Sequence, residues 1–229
     1  MIPRELIDTA LVPGGEELRL FRHGTDHMIV MGHNELMNSR MSGSEEALAE
    51  MACARLAKRP AAQKSAGVHL LVGGYGMGFT LRKALAVLDA KGRVTVAELV
   101  PQIIEWARGP MKELTAGCLD DRRVRLEMDD VFAVIQHARG TYDAILLDVD
   151  NGPDGLVRRD NDRLYSMRGL RAAQAALRPG GILAIWSAAR DPAFTVRLKD
   201  AGFAVDEVKV RARSNGKGGH HVIWFAQVP

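Results

Sequence analysis

The chain has 229 residues, 47% hydrophobic and 26% charged, the make-up of a globular protein with room for a full core and not of a disordered one. A formal net charge of +3 without any long basic run gives no argument for nucleic-acid binding, although the sequence pI is about 9.0. Cys53 and Cys118 lack metal-ligand spacing and read as free thiols in a reducing cytosol; no secretory segment opens the chain and no apolar run reaches membrane-span length, so a cytoplasmic protein is expected.

Residues 1–15 show no clean period and read as a lead-in. Glu17–Arg22 and His27–Met31 are strand-like runs joined by the turn His23-Gly24-Thr25-Asp26. An isolated hairpin is marginal, so this one is expected to lean on the main domain or on a partner subunit. Asn34 to Met41 is polar and reads as a loop. Ser44, a capping residue followed by Glu45 and Glu46, is expected to begin a helix whose apolar stripe is Leu48, Met51, Ala52 and Leu56. Lys58 to Gly67 (KRPAAQKSAG) is a breaker, and places the boundary between an appendage, residues 1–66, and a main domain, residues 67–229.

The stretch from Val68 to Glu98 organises the rest of the chain. Val68–Val72 is an apolar run suited to a strand covered on both faces. Gly73, Gly74, Gly76 and Gly78, around Tyr75, allow a tight turn and a close approach of ligand to backbone. Leu81, Leu85 and Leu88 recur at helical spacing, so the turn opens a helix whose amides face the loop. Arg93–Leu99 is the next strand, and Glu98 at its end can accept hydrogen bonds from both hydroxyls of a ribose. Strand, glycine turn, helix, strand and terminal acid in that order mark a nucleoside-containing cofactor, with NAD, FAD and S-adenosylmethionine all fitting the glycine pattern.

Further along, Val100–Ala107 is predicted helical and Arg123–Met128 is a strand ending in Asp129 and Asp130. A helix over Val131–His137 precedes the strongly apolar strand Tyr142–Leu147, which ends in Asp148-Val149-Asp150-Asn151-Gly152-Pro153. Leu164–Leu177 is a helix stopped by Pro179-Gly180-Gly181; Gly181–Trp186 is a strand, Pro192–Ala201 a helix, and Ala204–Arg211 and His221–Gln227 a closing hairpin across the turn Ser214–Gly219. The predicted fold is α/β: a doubly wound, seven-stranded, mostly parallel sheet with a terminal antiparallel strand, plus a short N-terminal β-hairpin. A terminal antiparallel hairpin is not the dinucleotide-binding order. It is the pattern of the class I S-adenosylmethionine-dependent methyltransferases, which leaves NAD second as cofactor.

The segments VGGYGMGFTLR, AELVPQIIEWAR, Asp129-Asp130, YDAILLDVDNGP and LRPGGILAIW, taken in order with His27 to Met51, resemble the spermidine synthase (polyamine aminopropyltransferase) family from about Leu18 onward. The resemblance implies that Gly73, Gly74, Gly76 and Gly78 hold the nucleoside, that Glu98 binds the ribose and that Asp129 meets the adenine amine. Asp148 matches the first acid of that family's active-site loop. It also implies pairing of two subunits through the N-terminal region, hence a homodimer.

Departures from the pattern point another way. The aspartate of the family's glycine loop is replaced by Gly76, its second loop acid falls on Asn151 beside Asp150, and its Tyr-His-Glu cluster reads Leu48-Ala49-Glu50. Decarboxylated S-adenosylmethionine ends in an ammonium that a carboxylate attracts, whereas the intact cofactor carries a carboxylate that an aspartate would repel. The expected activity is therefore methyl transfer from S-adenosylmethionine to a small amine or hydroxyl acceptor, with Asp148 and Asp150 orienting or deprotonating that acceptor. The alternatives are aminopropyl transfer from decarboxylated S-adenosylmethionine and a non-catalytic nucleoside-binding module. Tyr75 is placed to cover the cofactor or to face solvent, and Trp186 to line an acceptor pocket or join the core. Met37, Met41, Met51 and Met77 are core filler or a pliable wall. Too few ligands surround His220 and His221 for a metal, and Arg158, Arg159, Asp160 and Asp162 form a solvated loop.

Overall fold

The computed structural model describes residues 3–14, 17–60, 67–149, 161–213, 215 and 218–229. The N-terminal part is a four-stranded antiparallel sheet, not a hairpin: β1 (Glu5–Leu11), β2 (Glu17–His23), β3 (Asp26–Met31) and β4 (Asn34–Asn38), paired in that order. The predicted turn at Gly24-Thr25 is present, with His23 opposite Asp26. β1 and β4 escape a sequence reading for a physical reason. Only Ala10 is buried in β1, and β4 is short and begins with two exposed polar residues, so neither shows a clean period of two.

Helix α1 (Gly43–Ala57) follows, with Ser42 at its N-cap position but without a capping side-chain bond; Ser44 lies inside the first turn and is fully buried. The expected junction at residues 58–67 is described only at its ends, residues 61–66 lying outside the described residues. The main domain then runs β5 (His69–Gly73), α2 (Phe79–Val87), β6 (Arg93–Ala97), α3 (Pro101–Arg108), the short α4 (Lys112–Thr115), β7 (Val124–Glu127), α5 (Val131–His137) and β8 (Tyr142–Leu147). After the undescribed residues 150–160 come α6 (Asp162–Tyr165), α7 (Met167–Ala176), β9 (Leu177–Ser187), α8 (Pro192–Asp200), β10 (Ala204–Arg211) and β11 (His220–Gln227). The helix predicted over Leu164–Leu177 is two helices, because Ser166 turns extended and caps α7 by accepting from Gly169 N at 3.2 Å. Pro179-Gly180-Gly181 lies within β9, where a register shift against β8 absorbs the extra residues.

The seven-stranded sheet has the order β10-β11-β9-β8-β5-β6-β7. β11 is antiparallel to both its neighbours and the other pairings from β9 to β7 are parallel, as predicted. β8 is buried at every position, which its run of Ile and Leu allows. Its one charge, Asp143, is fully buried and held by Arg59 and Arg178 at 2.7 Å each. One face of the sheet packs against α1, α2, α3 and the N-terminal sheet in a continuous core; the other packs against α5, α7 and α8. Trp106 of α3 fastens β1 to this body, its indole N–H donating to Asp8 at 2.7 Å. The strand order reverses between β5 and β8, which opens a crevice at their C-terminal ends.

Candidate active site

Most of the predicted strand-end residues come to that crevice. Gly74, Gly76, Glu98, Asp129 and Asp148 all line one cavity, although they come from four different strand ends. The glycine turn is built as its residues require. Gly74, Gly76 and Gly78 have φ of 80°, 54° and 77°, and the last of these starts α2. A side chain at Gly76 would run into Met37 of β4, so the N-terminal sheet lies directly over the turn. Gly73 does not line the cavity; it lets the turn approach Val131 of α5 and Leu147 of β8, against which a Cβ would come within 2.8 and 2.9 Å.

Glu98 is buried and its two oxygens accept from Tyr75 N at 2.9 Å and Val100 N at 2.8 Å. Burial raises its pKa, and those two backbone donors oppose the rise. The amides of Leu99 and Gly76 also bear on this carboxylate, which still borders the cavity. Asp129 and Asp130 divide the work between them. Asp130 caps α5 through Phe132 N at 2.7 Å and pairs with Arg163, whereas Asp129 is exposed at the cavity rim. Tyr75 requires a correction: its ring turns away from the cavity, buried against Gly78 with its hydroxyl 3.3 Å from Cys118 Sγ. Only its backbone reaches the site, through the bond to Glu98.

Asp148 stands at the end of β8, and Thr80 Oγ1 donates to its Oδ2 at 3.1 Å. Beside it is a carboxylate that the sequence alone does not single out. Glu45 of α1 is buried, lines the same cavity, and has its pKa raised first by burial and then by the charge of Asp148. Burial raises Asp148 as well, opposed by the Thr80 hydrogen bond. Ser44 Oγ donates to Glu45 Oε2 at 2.7 Å and lies 2.9 Å from His221 Nδ1. Two acids in the first turn of a helix ordinarily read as exposed dipole partners, and only the packing of α1 onto α2 and the main sheet buries one of them. Asp150, Asn151 and the Arg158–Asp160 cluster lie outside the described residues.

The remaining wall is apolar. Leu18, Ile29, Met31, Leu36 and Met37 of the N-terminal sheet face the strand ends, and Trp186 closes the side next to His221. The Trp186 indole N–H has no hydrogen-bond partner among the described residues, which leaves a donor for a bound molecule. Met77 is fully buried core, so of the four methionines weighed from the sequence Met37 is the one that lines the cavity. Among the described residues no cluster of His, Cys, Asp and Glu is suited to a metal ion, and no helix is long and apolar enough to cross a membrane.

Residues 51–196 match the spermine/spermidine synthase domain. A polyamine aminopropyltransferase of Mycobacterium tuberculosis is 31% identical over 169 residues, covering 70% of this chain and 31% of that protein. One from Sulfolobus acidocaldarius is 28% identical over 128 residues, covering 56% of this chain and 40% of its own length. The aligned region thus spans well under half of these relatives. Among solved structures, spermidine synthase from Thermotoga maritima superposes with a TM-score of 0.74 over 98% of this chain and 73% of the other at 17% identity. Human methyltransferase-like protein 13 with bound SAH gives 0.61 over 81% of this chain and 82% of the other at 21%. These two likenesses concern the fold. The domain match and the aminopropyltransferase relatives overturn methyl transfer to a small amine or hydroxyl as the main expectation. Gly76 in place of an aspartate does not leave the site short of carboxyl groups, because Glu45 supplies one from another element beside Asp148. The chain belongs to the spermine/spermidine synthase family.

Proposed function

We propose that the protein is a transferase that moves the aminopropyl group of decarboxylated S-adenosylmethionine onto an amine of the polyamine class. The observation that carries this reading is the pair of carboxylates, Glu45 and Asp148, enclosed in one cavity at the end of β8. Near neutral pH the pair shares a proton, and its remaining negative charge attracts the ammonium end of the decarboxylated donor or an amine acceptor and repels the carboxylate of intact S-adenosylmethionine. The glycine turn, Glu98 and Asp129 would hold the nucleoside, with Glu98 on the ribose.

The chemistry follows from the charges. An acceptor amine arrives as an ammonium and has no lone pair until it yields a proton to the carboxylate pair. Its freed lone pair then attacks the propyl carbon bonded to sulfur, and the carbon–sulfur electron pair leaves on sulfur as a neutral thioether. The new secondary amine carries the positive charge, so each turnover releases one proton. Raised proton affinity at Glu45 and Asp148 suits them to accept it near neutral pH. The apolar wall shields the sulfonium from water.

Incubation of the purified protein with decarboxylated S-adenosylmethionine and a panel of diamines and polyamines tests this reading, with release of methylthioadenosine as the expected result. Turnover of intact S-adenosylmethionine to S-adenosylhomocysteine, with none of the decarboxylated donor, would overturn it. A homodimer through the N-terminal sheets would cover the exposed Leu6 and Leu11 of β1, and we propose this association for a cytoplasmic protein. A monomer in light scattering at micromolar concentration would remove the dimer.

A further inference from the structure

Ser44 connects the cavity carboxylate Glu45 to a histidine of β11. It is fully buried, with its hydroxyl 2.7 Å from Glu45 Oε2 and 2.9 Å from His221 Nδ1. His221, the second residue of β11, is half-buried and packs edge-on against Trp186 with ring centroids 4.7 Å apart. The three groups therefore form an unbroken hydrogen-bonded line from a cavity carboxylate through α1 to a ring that retains contact with solvent. The Ser44 hydroxyl has one proton to donate and lone pairs to accept with, and both of its partners here are groups able to hold or release a proton.

We propose that Ser44 and His221 form a proton relay that carries the proton of the acceptor amine from Glu45 to solvent. The relay rests on the aminopropyl reading above for the origin of the proton, though not for its wiring. The atoms balance without any outside reagent. The amine proton goes to the carboxylate pair. From protonated Glu45 the acid O–H donates to Ser44 Oγ, and the Ser44 hydroxyl donates to Nδ1 of neutral His221. A concerted shift then leaves Glu45 ionised, Ser44 donating back to it, and His221 as imidazolium with Nδ1–H directed at Ser44. Loss of the Nε2 proton to water completes the passage, and a turn of the serine hydroxyl with return of the Nε2–H tautomer restores the start. Ser44 and His221 act through Glu45 and are positioning residues in this scheme.

The charges around His221 favour release over storage. Burial and its neighbour His220 both lower its pKa, so the imidazolium gives up its proton readily. His220 is exposed and is itself depressed by burial and by Arg211 and Lys209 of β10. On the other side, the carboxylates of Glu45 and Asp148 are the acidic groups facing the line from α1 and β8.

Imidazole-nitrogen NMR on the full chain tests the wiring without any substrate. Neutral His221 should be the Nδ1–H tautomer when Glu45 is ionised and move toward Nε2–H as Glu45 takes up its proton. Ser44→Ala should abolish this switch and Ser44→Thr, which keeps a hydroxyl, should preserve it. A His221 tautomer that ignores pH apart from its own protonation, or is the same in wild type and Ser44→Ala, overturns the relay. Kinetics give the second arm. His221→Ala should lower kcat about tenfold with KM for the decarboxylated donor unchanged, and added imidazole should restore it. An unchanged kcat, or a loss that imidazole does not repair, would also overturn the relay. If the tautomer switch is present but no amine is aminopropylated by the wild type, the Glu45–Ser44–His221 line stands and the aminopropyl reading falls.

Discussion

Asp148 raises the proton affinity of Glu45, and Thr80 joins the two: its hydroxyl lies 3.1 Å from Asp148 Oδ2 and 3.4 Å from the Glu45 carbonyl oxygen. Removing either acid should thus be felt at the other. Asp148→Asn is expected to lower kcat by about 10²–10⁴-fold, the usual range for a group that moves a proton in the rate-limiting step. Glu45→Gln should shift the acid limb of the pH–rate profile downward, since it removes a neighbouring negative charge. Steady-state kinetics on folded protein check both, and an Asp148→Asn enzyme with wild-type kcat would exclude it as the acceptor of the amine proton.

Stability should fall with rising pH through the Glu45 titration. Its pKa in the folded chain is raised from 4.5 to about 8, so across that window the folded state keeps a proton that the unfolded chain has released. The contribution is fully present below the unfolded value and is lost as pH approaches the folded one. Glu45→Gln cannot titrate and should flatten this decline, most visibly in Tm values compared at pH 5 and about pH 8. Equal slopes in the variant and wild type would count against a buried, proton-holding Glu45.

Glu98→Ala should weaken donor binding by roughly tenfold to a hundredfold, from the loss of charged hydrogen bonds worth about 1.5–3 kcal/mol. The structure adds a second cost, because Tyr75 N and Val100 N lose their acceptor. A lowered Tm is therefore expected together with the weaker binding. Calorimetry with the decarboxylated donor, run below the melting range, separates the two effects; unchanged affinity would reject the ribose assignment.

Gly76 cannot be used to test donor charge by substitution alone. Any side chain there meets φ of 54° and Met37 at once. The backbone part of that strain is about 1–2 kcal/mol. Gly76→Ala should be destabilised, and pairing it with Met37→Ala should recover only the steric share. Full recovery in the double variant, read from chemical denaturation, would show that the left-handed backbone contributes nothing.

Much of this arrangement is readable from residues close together in sequence. The run from His69 to Glu98 announces itself because apolar runs, glycines and a strand-end acid are local signals, and the parallel sheet with its antiparallel last strand follows from element order. The unreadable parts depend on distant partners. β1 shows no alternation because its pairing with β2 is by backbone and only Ala10 is buried. Glu45 looks like any acid in a first helical turn until His221, 176 positions later, is placed against Ser44. The Tyr75 ring could have gone either way, and Cys118 decides it.

The buried contact of Arg59 with Asp143 bears on how the protein can be dissected. Arg59 follows the end of α1, Asp143 lies at the centre of the main sheet, and their side chains are 2% and 0% exposed. A boundary drawn near residue 66 by composition therefore cuts across an enclosed ionic contact and not between independent modules. Expressed from residue 67 onward, the main sheet would retain Arg178 at Asp143 but lose the cation that fills the interior side. Breaking such a contact from one end is destabilising by about 3–5 kcal/mol, a large part of what a single domain has. The N-terminal sheet and its helix are, in this sense, parts of the main domain's own interior, and a shortened chain should be recovered from cells mainly as insoluble material.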